Sequence, residues 1–453
     1  MVQRPADGDG TCKQRLASRL ANTSGITVPE GTDMQPGDRS IQPNRFIALD
    51  GWRGIIACII ALCHLNVYSH IYGATILQHA YIFVDFFFVL SGFVITYSYI
   101  DRITNAPQLA TFIGKRFSRI WPLHIIMLAA FIGCEILKLF MLSKTGISTE
   151  TAPFEGNNTL SSIIPNVFLI HSIGIFDNYT WNIPSWALSV EFYTYIVFSI
   201  IAFLSGHTRV REQAIMGMMI ATSAISYFVI LRYSSRGIDT DVEYGIFRCL
   251  LDFSIGYFLY KIWKYANHRT AFRDCGILLF STLEICTLLI FFYYIHFAGN
   301  TPFANLAPFV VAFTIFMFAI ERGALSRILG SAFLQRLGHY SFCIYIIHLF
   351  VAINVIDRPA QIIAKVFSLD ILRPASSLPI KGISETGNVI VLPNEWYGDF
   401  ITIFYIGIVI VLSGLAFKYI EIPFSRTLNG FFQKASSAAK PVQRAVGAYS
   451  ENG

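Results

Sequence analysis

From Phe46 to about residue 417, the chain alternates between long apolar blocks and shorter polar segments. A helix needs about 20 apolar residues to cross the hydrocarbon core of a bilayer. Ten blocks meet this length, so the pattern predicts an all-α fold, a polytopic membrane protein with about ten transmembrane helices. The predicted spans are 47–67, 80–100, 120–142, 187–205, 213–231, 245–260, 274–297, 303–320, 340–357 and 398–417.

The two ends of the chain are polar. Residues 1–45 are rich in Gly, Pro, Asp and Arg and contain no apolar run of the length that a secretory signal needs, so they predict a disordered cytoplasmic tail. Residues 46–428 form the predicted membrane domain, and 429–453 a second cytoplasmic tail. Pro423 is expected to end the last helix, because proline restricts the residue before it.

Composition supports this interpretation. Hydrophobic residues make up 54% of the chain and charged residues 14%, whereas soluble domains carry about 25% charged residues. These values exclude a disordered chain and an ordinary cytosolic enzyme. The eight cysteines include no C-x-x-C pair, which argues against a disulfide framework and against a metal site.

The basic residues predict an orientation. With the N-terminus inside, 24 of the 34 Lys and Arg residues lie in inner segments and 7 in outer ones, and the other three are within spans. Basic residues favour the cytoplasmic side, so both termini are predicted to be cytoplasmic. The net charge of +6 is explained by the same bias, and nucleic acid is not an expected partner.

Ionisable side chains inside a span are costly and therefore mark candidate functional sites. The first span contains Arg53 and His64, eleven residues apart, which puts both on one helical face about 16 Å from each other along the axis. Cys63 neighbours His64, but adjacent helix positions point about 100° apart, which argues against a covalent cysteine relay.

Further polar residues are predicted near the two ends of this helix. Asp85 and Glu191 are each expected at a depth similar to that of His64, with Asn182, Trp186 and Ser189 close to Glu191. On the cytoplasmic side, the segment FIGKRFSRIWP supplies Lys115, Arg116 and Arg119 near the level of Arg53.

These residue types suit transfer of a group between two substrates. Guanidinium groups match phosphate geometry, and an imidazole, with an unperturbed pKa of about 6.5, can take a proton from a hydroxyl. A nearby carboxylate would orient the imidazole. The layout predicts a negatively charged donor at the cytoplasmic side and an acceptor near the outer face.

Six segments follow one another along the chain: LDGWRGIIACIIALCH, VDFFFVLSGFVI, FIGKRFSRIWPLH, WALSVEFY, LGHYSFCIYIIHLF and KYIEIPFSR. In sequence and in order, they resemble segments of the acyltransferase 3 family of integral membrane O-acyltransferases. The resemblance implies transfer of an acyl group, usually acetyl, from cytoplasmic acyl-coenzyme A to a hydroxyl of an extracytoplasmic carbohydrate, in the bacterial inner membrane.

Site roles combine the residues and the resemblance. The family's arginine and histidine of the first span match Arg53 and His64, its R-x-x-R element matches Arg116 and Arg119, and its serine–glutamate block matches Ser189 and Glu191. The residues after Glu191 depart from the family pattern. The predicted roles are proton transfer for His64, Glu191 and Asp85, donor binding for Arg53, Arg116 and Arg119, and acceptor binding for Ser189, Trp186 and Asn182.

Alternatives remain open from the sequence. Buried His, Asp and Glu also suit a proton-coupled transporter, although no internal repeat is visible. A scaffold without chemistry explains none of the charges inside the spans. His348 falls in a family-like segment but has no nearby carboxylate in the sequence, so packing is at least as good an explanation for it. The pattern specifies no oligomeric state.

Overall fold

The computed structural model describes residues 45–145, 151–206, 210–267, 276–299, 301–378 and 387–438. Ten helices in these ranges correspond one to one with the ten predicted spans. They are α1 Ile47–Cys63, α2 Ile82–Tyr99, α3 Ala106–Thr145, α4 Ser185–Ser205, α5 Arg211–Tyr233, α6 Gly245–Asn267, α7 Ile277–Ala298, α8 Ala307–Ala319, α9 Ala332–Val351 and α10 Glu395–Ala416.

Eight stretches of the described chain are long and apolar enough to cross a membrane. The other two long helices fall short for different reasons: α1 has only 17 residues, and α6 carries Arg248, Asp252, Lys261 and Lys264. The predicted fold class, an all-α polytopic membrane protein, is confirmed.

Most of the remaining elements are short and lie between these helices. Two three-residue strands pair antiparallel, with Leu372 opposite Ile390. The strands are β1 Leu372–Pro374 and β2 Asn388–Ile390, and the short helical turns are Thr75–Gln78, Gly156–Asn158, Leu160–Ser162, Ile163–Val167, Pro302–Leu306, Ala324–Leu329 and Ala375–Ser377.

Two of the long helices continue past the predicted span ends through π-helical turns. The turn Ala352–Asp357 joins α9 to the helix Arg358–Phe367, and the turn Phe417–Glu421 joins α10 to the helix Ile422–Ala438. The prediction that Pro423 ends the last helix is wrong. The π turn directly before it widens the backbone, and Pro423 sits in the first turn of the following helix, where its missing N–H costs little.

Small residues set the helix crossings that build the core. A Cβ at Gly92 of α2 would overlap the Phe253 carbonyl of α6, and one at Gly256 of α6 would overlap the Val89 carbonyl of α2. A Cβ at Gly54 of α1 would meet the backbone of α9 at Leu337. Membrane helices gain their packing where small residues let backbones approach, and these crossings surround α1 and α2 with protein.

The helices alternate in direction. The backbone N–H of Ala48, at the start of α1, donates to the carboxylate of Glu321 just after α8, and Gln335 at the start of α9 donates to the Ile47 carbonyl. We call this side of the bundle the Arg53 end. The side where α1 finishes, beside His64, is called the His64 end.

Candidate active site

Arg53 lies in the second turn of α1 and is held by a carboxylate one turn before it. Its guanidinium is 3.4 Å from the Asp50 carboxylate, which also pairs with Arg45. The Arg53 side chain is 24% exposed, and it interacts electrostatically with Arg119 and with Glu421. Charged groups of α1, of α3 and of the π turn after α10 therefore lie near one another at the Arg53 end.

The two arginines of the R-x-x-R element have different surroundings. The Arg116 guanidinium donates to the Tyr99 hydroxyl at 3.2 Å and lies over the rings of Tyr99 and Tyr195, 5.2 and 5.9 Å from their centroids. Arg119 makes no hydrogen bond or ion pair within 4 Å to any described residue, and it interacts at longer range with Glu421. Its donors are therefore available to a ligand.

Glu191 belongs to the arginine level of the site. Its carboxylate accepts a hydrogen bond from Tyr195 at 2.5 Å, and the Tyr195 hydroxyl is also 2.7 Å from Ser91. Electrostatic contact with Arg53 and Arg119 places Glu191 beside the cations. The expected common depth with His64 is not observed in these contacts, because α1 ends at His64 whereas Glu191 lies nearly two turns inside α4.

His64 caps the C-terminus of α1 with non-helical backbone angles. Its Nδ1 is 2.9 Å from the Ile60 carbonyl, so Nδ1 carries the proton, because a carbonyl only accepts. Nε2 is then the basic nitrogen, and it makes no hydrogen bond within the described chain. The ring centre lies 5.0 Å from that of His348. This is the arrangement that a general base requires.

Cys63 lies closer to His64 than helical geometry predicts. Its sulfur is 3.1 Å from His64 Nδ1 and 3.1 Å from the Ile60 carbonyl. The expectation that the two side chains diverge by 100° is wrong here, since the helix ends between them and His64 turns back. Both groups donate toward the same carbonyl, so this contact does not make His64 a base for the thiol.

Asp85 forms a buried ion pair. Its carboxylate is 2.6 Å from Nε of Arg248, and both side chains are at most 1% exposed. Arg248 also donates to the carbonyls of Tyr81 and Thr240 at 2.8 and 3.1 Å, and lies over the Trp186 ring. None of the described contacts joins Asp85 or Glu191 to His64.

The three predicted acceptor residues line different parts of the core. Trp186 packs edge-on against Phe88 as well as on Arg248. Ser189 donates to the Leu169 carbonyl at 2.5 Å, which fixes the loop before α4. Asn182 donates to the Ile346 carbonyl at 3.0 Å, two residues before His348, and its Oδ1 is buried without a described partner.

A small cleft opens at the His64 end. Its walls combine residues from the end of α1, the following loop and α10, so it adjoins His64 on the side away from the arginines. Among the described residues, no group of three or more His, Cys, Asp or Glu side chains could hold a metal ion. The cleft is lined by Leu62, Cys63, Leu65, Asn66, Val67, Ser69, Ile71, Tyr72, Leu77 and Thr402.

The acyltransferase 3 family model, described as an acyltransferase domain, matches residues 46–361. The match covers more than half of the chain and includes every predicted site residue. The chain belongs to the acyltransferase 3 family. Residues 46–361 therefore form an acyltransferase domain built from apolar helices long enough to cross a membrane.

Curated relatives of this acyltransferase match over part of their length. The acyltransferase MdmB of Streptomyces mycarofaciens is 30% identical over 168 residues, which are 34% of this chain and 38% of MdmB. YrhL of Bacillus subtilis, proposed to be a peptidoglycan O-acetyltransferase, is 25% identical over 234 residues, or 49% of this chain and 34% of YrhL. The chain thus spans well under half the length of either relative. No solved structure matches it significantly.

Sequence reasoning about this acyltransferase missed residues that the fold brings to the site. Tyr195 joins Glu191 to Ser91, and the Glu421 carboxylate accepts from the Cys343 thiol at 3.2 Å beside the arginines. Glu421 and His348 both lie in family-like segments, which was the available signal. Neither has a sequence neighbour that reveals its partner, because the partners are on other helices.

Proposed function

We propose that this acyltransferase moves an acetyl group from acetyl-coenzyme A, bound from the cytoplasm at the Arg53 end, to a carbohydrate hydroxyl at the His64 end. One observation carries the proposal. The two ends of α1 present a partly exposed guanidinium and an imidazole whose basic Nε2 has no described partner. Transfer between an anionic donor on one side and a neutral hydroxyl on the other needs both.

At the Arg53 end, the side chains fit the phosphates of a coenzyme. Arg53 and Arg119 offer planar guanidinium groups, each of which can donate two parallel hydrogen bonds to the oxygens of a phosphate. Arg116, which lies over the rings of Tyr99 and Tyr195, adds a third positive charge. Asp50 orients Arg53, and the negative charges of Glu191 and Glu421 nearby offset part of the positive charge until the donor binds. An extended pantetheine arm covers the rise of about 16 Å between the Arg53 and His64 levels.

At the His64 end, the imidazole moves one proton. Nε2 takes the proton of the acceptor hydroxyl as that oxygen bonds to the acyl carbon, and the carbon–sulfur bond breaks. The proton then passes from Nε2 to the departing sulfur, which gives an ester and a free thiol. The Nδ1 hydrogen bond to Ile60 keeps the ring oriented through both steps. Of the three predicted acceptor residues, Asn182 is tied by a hydrogen bond to the helix turn that carries His348, whereas Trp186 and Ser189 contact other parts of the core.

Membranes that contain the protein, incubated with labelled acetyl-coenzyme A, test this proposal. We expect label in the carbohydrate fraction. His64→Ala should lower turnover by about 100- to 10,000-fold, the range that a general base contributes, while coenzyme A binding persists. The matched control is His124→Ala, a buried histidine of α3 whose ring bonds to the Asn166 carbonyl and stacks on His171. Uptake driven by a proton gradient, without labelled product, would instead indicate a transporter.

A further inference from the structure

His348 is a fully buried histidine of α9 that lies against His64. Its Nδ1 is 3.2 Å from the Ile344 carbonyl one turn earlier, and its Nε2 is buried with no partner among the described residues. The centres of the two imidazole rings are 5.0 Å apart, with the rings tilted by 51°. Buried polar atoms in proteins are normally paired, so this orphaned nitrogen calls for an explanation.

Hydrogen bonds from α10 and from the segment before α4 hold the backbone around His348 in place. The Tyr405 hydroxyl of α10 is 2.9 Å from the Ala61 carbonyl and 3.2 Å from the His348 carbonyl, which ties α1, α9 and α10 together at this level. Asn182, just before α4, donates to the Ile346 carbonyl. His348 is therefore held beside His64 by the surrounding protein.

The two imidazoles have the same tautomer. Each Nδ1 faces a carbonyl of its own helix and carries the proton, so each Nε2 presents a lone pair. Two lone pairs cannot bond to each other. Once His64 has taken a proton, its Nε2 becomes a donor, and the ring 5.0 Å away carries a buried acceptor, the unpartnered Nε2 of His348.

We propose that His348 is a positioning residue that accepts a hydrogen bond from His64 only when His64 is protonated, and so stabilises the charged form that arises during acyl transfer. This inference rests on the proposed function. The proton itself stays on His64 until it passes to the departing sulfur, so the balance of the reaction is unchanged. An interaction present only in the charged state raises turnover without tightening substrate binding.

Three variants in the labelled acetyl-coenzyme A assay test this role, with the carbohydrate of the membranes as acceptor. His348→Phe keeps a ring of similar size but has no hydrogen-bond acceptor. We expect kcat to fall about 10- to 100-fold, because a hydrogen bond to a charged group contributes a free energy of that size. The KM for acetyl-coenzyme A should stay unchanged. His348→Gln offers an amide oxygen and should restore part of kcat. His124→Phe, a matched buried histidine on α3, should stay within about twofold of wild type.

The outcomes separate this inference from the proposed function. If the wild-type protein transfers label and His64→Ala does not, but His348→Phe keeps the wild-type kcat, the role of His348 is refuted and the proposed function stands. Equal losses in the Phe and Gln variants, both with intact coenzyme A binding, also refute it. Absence of transfer by the wild-type protein overturns both. Coenzyme A binding by each variant reports whether it is folded.

Discussion

At the scale of single residues, the two arginines of the R-x-x-R element differ in the contacts that they make. Arg116 is engaged by the Tyr99 hydroxyl and by the faces of three aromatic rings. Arg119, one helical turn later, has no hydrogen bond or ion pair to a described residue. An arginine stacked on aromatic rings contributes to packing as well as charge, whereas one with free donors can pair with an incoming anion.

We therefore expect the two arginines to differ on substitution. Arg119→Ala should weaken coenzyme A binding by about tenfold or more, because it removes a hydrogen bond between charged groups. The melting temperature of the purified protein should change little. Arg116→Ala should lower that temperature as well. Isothermal titration and thermal unfolding in detergent measure the two effects.

The control for this pair is Arg327→Ala, an exposed arginine in the segment between α8 and α9. It should change neither quantity. Equal loss of binding without loss of stability in both the Arg116 and Arg119 variants would contradict the distinction and would place both guanidinium groups on the donor.

At the scale of elements, the crossing of α2 and α6 buries the ion pair of Asp85 and Arg248. The two helices approach so closely at Gly92 and Gly256 that each glycine faces a backbone carbonyl of the other helix. Removing one partner of a buried pair leaves an uncompensated charge, so this crossing must keep its geometry. The glycines are what permits that approach.

Gly92→Ala should consequently destabilise the protein, although alanine is the better helix former by about 1 kcal/mol. Overpacking a close contact costs about 1–3 kcal/mol, and here the obstacle is the Phe253 backbone, which cannot rotate away. We expect a lower melting temperature in detergent. Gly407→Ala on α10 is the control, because no atom lies within 4 Å of its added Cβ. A more stable Gly92→Ala variant would show that the helices separate easily.

At the scale of the whole molecule, the alternation of helix directions determines where each substrate can enter. Ten predicted crossings would return the chain to the side on which it started, and Lys and Arg are concentrated in the segments predicted for that side. Basic residues resist translocation. The Arg53 end is therefore proposed to face the cytoplasm, where acyl-coenzyme A is made.

Reporter fusions test this orientation. A fluorescent protein that matures only in the cytoplasm should be bright at either terminus, whereas alkaline phosphatase should be active when inserted between residues 173 and 178, in the loop before α4. Exchanging the two reporters is the control and should silence both. Phosphatase activity at the C-terminus alone would mean an odd number of crossings, and phosphatase activity at both termini would reverse the assignment of donor and acceptor sides.

The sequence alone determined the ten helices and the residues on α1 that define the two ends of the site. This was possible because a bilayer demands about 20 apolar residues per crossing, and because Arg53 and His64 are separated by a fixed rise along one helix. The same reasoning failed at helix ends. The π turn before Pro423 and the termination of α1 before His64 depend on neighbouring helices and loops.

Only the tertiary structure decided which groups are partners. Asp85 pairs with Arg248, 163 positions away, and His64 lies against His348, 284 positions away. Sequence spacing gives the depth of a residue in the membrane, because the rise per residue is constant. It does not give the rotation of each helix or its neighbours, because lipid and protein are equally apolar surroundings for most side chains. Packing between small residues makes that choice.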